Sequence, residues 1–426
     1  MPDRVLRPVA MLAALLAAGF LSLVLWPDLL LLLGVDLHER WFLDSHAILA
    51  ANDAVRLGYD VSMANALDLL NRPHVYSDWW LGLRWLGLTR ADNFAFGGTC
   101  CFAFLAIALA GLRPVTYGAA AVLAAVFLSP PTLLALLRAN NDLVIFVVLG
   151  IGLLALRSKR TLFRLACFGA LVVLATGLKY YPIVAAGALL IVLPWRRATG
   201  WCFGLTVAGA LLALWSERAS IGRGMFELPL TIHVFGAQVL WRDVALDRLT
   251  SVLIAITLLG AGAWLAWRRG WTSGLADATR GAEGERFIFA VGACVLIGCF
   301  VAGTSYAYRW IFGLWLWPWL WRETTAGRTP ARVALGAWLV ALWADGVLCL
   351  IVNSFGFAYR PGLGWRLATQ PFTWILMALL SGWLLEAMVA QAFGRSSSPR
   401  MAAESSGRRR RDADRPGEFG GVHPVD

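Results

Sequence analysis

An all-α polytopic membrane fold with about twelve transmembrane helices is what this sequence predicts. Three observations carry the prediction. Of its 426 residues, 59% are hydrophobic and 15% charged, against about 45–50% and about 25% in soluble domains. The apolar residues fall in runs long enough to cross a hydrocarbon core of about 30 Å. The basic residues favour alternate ends of those runs, as the positive-inside rule requires. Together these exclude a string of about three soluble domains of roughly 150 residues each. They also exclude a disulfide-stapled secreted module, since seven cysteines at this length is ordinary.

The candidate spans, in order, are 9–33, 94–112, 115–133, 142–156, 163–178, 181–195, 200–216, 250–267, 287–304, 307–321, 333–352 and 371–393. The first is too long, and too poor in a cleavage site, for a removed signal peptide, so it reads as retained. With the N-terminus inside, 23 of the 37 basic residues fall on the inner side, and the outer segments carry 14 basic and 13 acidic residues. The net charge of +11 is therefore a topology signal and not a sign of nucleic acid binding. Both termini read as cytoplasmic. Ten spans, with one short hairpin removed, would keep the same sidedness.

Residues 1–393 thus form one membrane domain with outer loops at about 36–93 and 217–249. Residues 394–426 form a Ser/Arg/Gly/Pro-rich basic tail, with Arg408 to Arg411 in a row, which reads as disordered and cytoplasmic. The first outer loop carries an amphipathic helix from Trp41 to Leu57, ended by Gly58. Its apolar side is Phe42, Leu43, Ala47 and Leu49, and its polar side is Asp44, His46, Asn52 and Asp53.

Ionisable groups at membrane depth are costly and mark function. Here they gather at outer run-ends. Arg138-Ala139-Asn140-Asn141-Asp142 leads into the fourth span. Lys179-Tyr180-Tyr181-Pro182 separates the fifth from the sixth. Tyr308-Arg309 opens the tenth. Asn353, Tyr359, Arg360 and Arg366 follow the eleventh, and Asp44 and His46 sit on the outer helix. Each has a plainer reading when taken singly. Arg138, Lys179 or Arg309 suits a lipid-phosphate anchor, Asp142 a helix cap, and Asp44 and His46 a solvated helix face. Asp345 and Glu386, inside spans, suit structural hydrogen bonding. Their joint placement on one side points instead to an outer-face site. Gly150 to Ala155 matches a dinucleotide fingerprint only inside an apolar run with no strand before it, and no GxxxxGK[ST] loop exists for ATP. The cysteines lack metal spacing and fall in apolar runs.

The motifs resemble those of the GT-C fold glycosyltransferases, most closely the polyprenol-phosphate-mannose-dependent glycosyltransferase family 87. The matching pieces are Phe42-Leu43-Asp44, Gly58-Tyr59-Asp60-Val61, Asn65 with Asp68, Arg138 to Asp142, Lys179 to Pro182, and Tyr308-Arg309. Ala139 stands where that family usually has Gly, and Asn141 where an aliphatic residue is usual. The resemblance implies a membrane glycosyltransferase that moves a hexose of mannose type from a polyprenyl-phosphate sugar to a lipid or glycan acceptor, inverting, on the non-cytoplasmic face. Asp44 would then be the catalytic base, and Lys179, Arg138 and Arg309 would bind the donor phosphate. Asn140, Asn141, Asp142, Tyr180, Tyr181, Tyr308 and His46 would bind substrate. No cofactor is implied, and metal dependence stays open. The partners would be the donor, the acceptor and membrane lipids. An Arg-rich, Lys-poor chain rich in Ala, Gly and Leu suits a GC-rich genome and so a bacterial inner membrane. The alternatives from composition are a transporter or lipid flippase, and a non-catalytic membrane scaffold.

Overall fold

The computed structural model describes residues 2–35, 41–156, 158–224, 234–277, 282–302, 305–355 and 363–393. The tail 394–426, with Tyr359 and Arg360, lies outside the described residues. The chain is an all-α polytopic membrane protein. Among the described residues, eight helices are long and apolar enough to cross a bilayer. They are Leu6–Leu25, Arg90–Gly111, Thr161–Leu178, Arg197–Ser216, Arg248–Arg268, Glu283–Ala302, Thr329–Ser354 and Leu363–Phe393. A ninth is added if the pair Tyr117–Phe127 and Pro130–Arg138, bent by 55°, counts as one span.

The count of twelve is therefore reached only by including three runs that are short or irregular. Run 142–156 forms the 15-residue helix Asn141–Ala155. Run 181–195 opens as a 3-10 helix, Tyr181–Ala186, before a single α turn, Gly187–Ile191. Run 307–321 opens as a 3-10 helix, Ala307–Leu316, and continues as the α-helix Trp317–Thr325. Irregular backbone at membrane depth survives only where protein covers it. Accordingly every residue from Arg309 to Leu316 is buried.

Each break has a local cause. Pro130 and Pro131 cannot donate backbone hydrogen bonds, and the Val126 carbonyl freed at the bend accepts from the Ser129 Oγ at 2.7 Å and the Thr132 Oγ1 at 3.0 Å. At Ala139 the chain takes a left-handed turn, φ 42° and ψ 53°, ending one helix so that the next can begin two residues later. Pro182 starts the 3-10 turn that follows Lys179.

Aromatic packing fixes the register of the short helices. Phe146 stacks on Trp315 with centroids 4.5 Å apart and 19° between planes, and it also meets Phe104 and Phe312. Tyr181 packs edge-on against Phe312 at 5.7 Å. Phe146 lies one turn after Asp142, and Phe312 one turn of 3-10 helix after Arg309. This cluster therefore brings Asp142, Tyr181 and Arg309 to one end of the bundle.

Residues assigned to the same side of the membrane pair with each other. Arg164 pairs with Glu283 at 3.0 Å, and Arg322 with Glu285. At the other end the Glu217 carboxylate accepts from the Asp78 amide at 2.7 Å, and Val234–Phe235 pairs antiparallel with Ser305–Tyr306. Asp345 accepts from the Trp365 indole at 3.0 Å, and Glu386 from the Ala276 amide at 3.3 Å.

Candidate functional site

The helix Leu43–Arg56, in the loop after the first span, departs from a simple amphipathic pattern. Asp44, Ser45, His46 and Asn52 are as buried as Leu43, Ile48 and Leu49. Its polar face is turned inward where Asp44, Ser45 and Asn52 find partners. Asn52 donates to the Trp80 carbonyl at 3.0 Å and accepts from the Arg84 amide at 2.7 Å, which fastens the 3-10 strap Asp78–Leu86. Ser45 donates to Asn93 at 2.6 Å.

Asp44, only 2% exposed, takes the strongest set of contacts. Arg138 grips it with two bonds, Nε to Oδ2 at 3.0 Å and Nη2 to Oδ1 at 2.7 Å. Asn140 Nδ2 donates to Oδ2 at 2.6 Å, and Arg72 Nη1 lies 3.6 Å from Oδ1. Burial alone would raise the Asp44 carboxyl. The Arg138 guanidinium, the Asn140 amide and the Arg72 charge outweigh it and hold the group below the ordinary carboxylate range. Asp44 is therefore ionised.

Asn140 serves two elements at once. Its Nδ2 holds Asp44 while its Oδ1 accepts from the Asp142 amide at 2.9 Å, capping the short helix. The cap is thus Asn140. Asp142 sits in the first turn and sends its carboxylate elsewhere. Its Oδ1 accepts from the Tyr181 hydroxyl at 2.6 Å and pairs with Lys179 Nζ at 2.6 Å. Lys179 also donates to Asn141 Oδ1 at 2.7 Å. Arg309 Nε lies 3.9 Å from Asp142 Oδ2, with its guanidinium over the Tyr181 ring at 4.7 Å. Lys179 lies 5.6 Å from the Tyr308 ring centroid, and Tyr308 stacks on Tyr306 at 5.5 Å. Arg138 faces Tyr306 at 5.9 Å, joining the two halves of the cluster.

Motifs as near as Asp142 and Lys179 and as far apart in the sequence as Asp44 and Arg309 thus meet at one end of the bundle. His46 reaches the cluster through Asp68, its Nδ1 3.7 Å from Oδ1. Tyr180 meets it only at the edge, its ring edge-on to Tyr181 at 6.2 Å. It is exposed and lines a neighbouring cleft. Asn353 donates to the Leu31 and Leu32 carbonyls, and Arg366 lies 4.0 Å from Asp243, so neither is placed with Asp44 or Asp142.

Two residues of the cluster, Arg72 and Tyr76, carry no motif weight in the sequence, whereas Asp68 belongs to the motif pieces already named. Arg72 bonds Asp68 twice, at 2.8 and 2.9 Å, and bridges Asp68 to Asp44. Asp68 is held below the ordinary carboxylate range, because Arg72 outweighs its burial. The buried Tyr76 hydroxyl is raised by burial and by the Asp44 charge beside it. The Asn71-Arg72-Pro73 turn reads as loop chemistry, and Tyr76 as an interfacial ring. Their only signal was the odd burial cost of an Arg next to an Asp four residues earlier.

The tally is four cations (Arg72, Arg138, Lys179, Arg309) against three carboxylates (Asp44, Asp68, Asp142). Asn141 Nδ2, Asp142 Oδ2 and Arg309 Nε are buried with no hydrogen-bond partner. Asp142 Oδ2 and Arg309 Nε face each other at 3.9 Å, beyond hydrogen-bond reach, and Asn141 Nδ2 has no acceptor, so a polar group placed between them would complete their hydrogen bonding. Beside it opens a cleft with about 470 Å³ of space, part of it open to the surroundings. Val75, Leu178, Leu214 and Ile221 give it apolar walls, and Tyr76 and Lys179 give it a polar edge. No three His, Cys, Asp or Glu side chains among the described residues come together as a metal site. Compared with family models, with curated proteins and with solved structures, the chain gives no match.

Proposed function

We propose that this chain is a membrane glycosyltransferase that moves a hexose, of mannose type, from a polyprenyl-phosphate sugar to a hydroxyl of a lipid or glycan acceptor. The reading places it in a bacterial inner membrane with both termini cytoplasmic and the reaction on the non-cytoplasmic side. One observation carries it: four cations and three carboxylates meet at the ends of short, interrupted helices, with Asn141, Asp142 and Arg309 atoms among them that make no hydrogen bond.

The charges suit this donor. A phosphodiester brings one negative charge, which matches the surplus of one cation. The largely apolar cleft beside Lys179 suits the prenyl chain, with the phosphate at Lys179, Arg309 and Arg138. The unpaired Asn141 and Asp142 atoms suit sugar hydroxyls.

In the proposed step the acceptor oxygen attacks the anomeric carbon. The new bond is acceptor oxygen to that carbon, and the bond from that carbon to the phosphate oxygen breaks. The acceptor proton passes to Asp44, and the electron pair leaves on polyprenyl phosphate, which gains a charge that fixed cations stabilise. A single displacement inverts the anomeric centre. Asp44 bound to Arg138 is a weak base. A donor phosphate competes for the Arg138 guanidinium, and as that pair loosens the carboxylate regains basicity.

The test is the purified full-length chain with polyprenyl-phosphate mannose carrying a labelled sugar, plus a membrane lipid extract as acceptor. Labelled product and free polyprenyl phosphate are expected in equal amounts. Label remaining on the donor with every hexose tried would overturn the reading.

A further inference from the structure

A second cleft, with about 630 Å³ of space, lies at the opposite end of the bundle, where the helices Trp317–Thr325 and Thr329–Ser354 meet. Trp271, Ser273, Trp319, Glu323, Thr329 and Trp383 line it. Its polar groups are incompletely matched. Glu323 is 5% exposed, and the nearest cation the structure gives it is Arg322 Nε at 3.6 Å, while Arg322 Nη1 is committed to Glu285. The Trp319 indole nitrogen is buried without an acceptor. The Trp319 and Trp383 rings meet edge to face at 5.1 Å.

Charge is layered across this cleft. The carboxylate of Glu323 is buried, whereas Arg328 on the cleft wall and Arg332 one turn into the next helix are exposed. The 26-residue helix Thr329–Ser354 begins at the cleft with no side-chain cap, so its first amides and its dipole favour an anion there. A ligand that satisfies both layers carries a cation at its tip and an anion behind it.

We infer that this cleft binds the headgroup of a phospholipid with a primary ammonium, the ammonium at Glu323 beneath the indole rings and the phosphate at Arg328 and the start of the Thr329–Ser354 helix. In such a lipid the ammonium is the terminal group and the phosphate lies behind it, which matches a buried carboxylate with exposed arginines around it. The ammonium N–H groups satisfy the buried carboxylate, and indole faces attract a cation. A phosphate oxygen also accepts from an indole N–H. A glycerol headgroup would bring the phosphate but no cation, leaving the carboxylate unmatched. A free phosphate would face Glu323 with like charge. The inference does not rest on the proposed transferase activity, since it concerns groups at the other end of the molecule.

The test is native mass spectrometry of the full-length protein in detergent with dioleoyl phosphatidylethanolamine and dioleoyl phosphatidylglycerol at equal concentrations. The wild type should retain the ethanolamine lipid about tenfold over the glycerol lipid, the ratio expected of one charge-assisted bond worth roughly 1.4 kcal/mol. Glu323→Gln should bring the ratio close to one. Ser273→Trp fills the cleft without altering the carboxylate and should lower ethanolamine-lipid binding as well, so it decides the matter if Glu323→Gln fails to fold. Equal retention of the two lipids by the wild type, or a preference unchanged in both variants, would overturn the inference.

Discussion

The Asp44–Arg138 pair should be among the most strongly coupled side-chain pairs in the molecule, and a double-mutant cycle measures this. The perturbations are Asp44→Asn, Arg138→Gln and the double variant. Two bonds of 2.7 and 3.0 Å join these groups, with side chains only 3% and 16% exposed. Removing one partner of such a pair leaves a buried charge unmatched, which costs about 3–5 kcal/mol. Arg72, still 3.6 Å from Asp44, compensates in part, so Arg138→Gln should cost about 3 kcal/mol. The double variant removes both charges and should cost less than the two single changes together. The coupling expected is about 2 kcal/mol. The assay is denaturant unfolding in detergent followed by tryptophan fluorescence. Asp53 with Arg56, an exposed pair on the same helix at 3.3 Å, is the internal control and should couple by less than about 0.5 kcal/mol. If Asp44 and Arg138 couple no more strongly than this control, they do not form the buried pair on which the site is built.

Three further outcomes follow from the same geometry. Because the folded Asp44 and Asp68 carboxyls lie below their unfolded values, their contribution to stability is whole above about pH 4 and fades as pH falls through the folded values; melting temperature should drop on acidification below that point, and Asp44→Asn should flatten the slope. Ala139→Gly should stabilise the fold by roughly 0.5–1 kcal/mol in the same unfolding assay, since a Cβ at φ 42° costs about 1–2 kcal/mol and added unfolded-state freedom returns part of the gain; a loss of stability would contradict the left-handed turn. Gly177→Ala should loosen the Asp78–Leu86 strap, because a Cβ there would lie 2.2 Å from the Trp79 ring, and limited proteolysis should cut between residues 60 and 92 faster than in the wild type.

The membrane class was legible because it depends on composition and run length, which tertiary packing does not alter. Most long spans were read to within a few residues for the same reason, but the first stops at Leu25, short of 33, and the last begins at Leu363, ahead of 371. The three short runs were read as spans, yet their shape was hidden. Whether 307–321 crosses as a regular helix depends on neighbours such as Trp338, against which Gly313 packs, and such neighbours have no local signature. The convergence of Asp44, Arg138, Asn140, Asp142, Lys179 and Arg309 was legible from their shared placement at run-ends. The inward turn of the outer helix was not, because its cause lies in distant partners, Trp80 and Arg84 for Asn52 and Arg138 for Asp44. Arg72 and Tyr76 were missed because a polar residue in a turn-rich loop looks the same whether solvent or a buried carboxylate faces it. Ala139 shows how a local irregularity can matter: its left-handed backbone lets two helices meet at an angle that delivers Arg138 and Asn140 to one carboxylate.

Sugar transfer from a polyprenyl-phosphate hexose should depend on Asp44. Single-turnover transfer by the purified wild type and by Asp44→Asn, with donor binding measured on the same samples, tests it. The expected result is a loss of about 10²–10⁴-fold in the transfer rate with donor still bound. Full transfer by Asp44→Asn would contradict it.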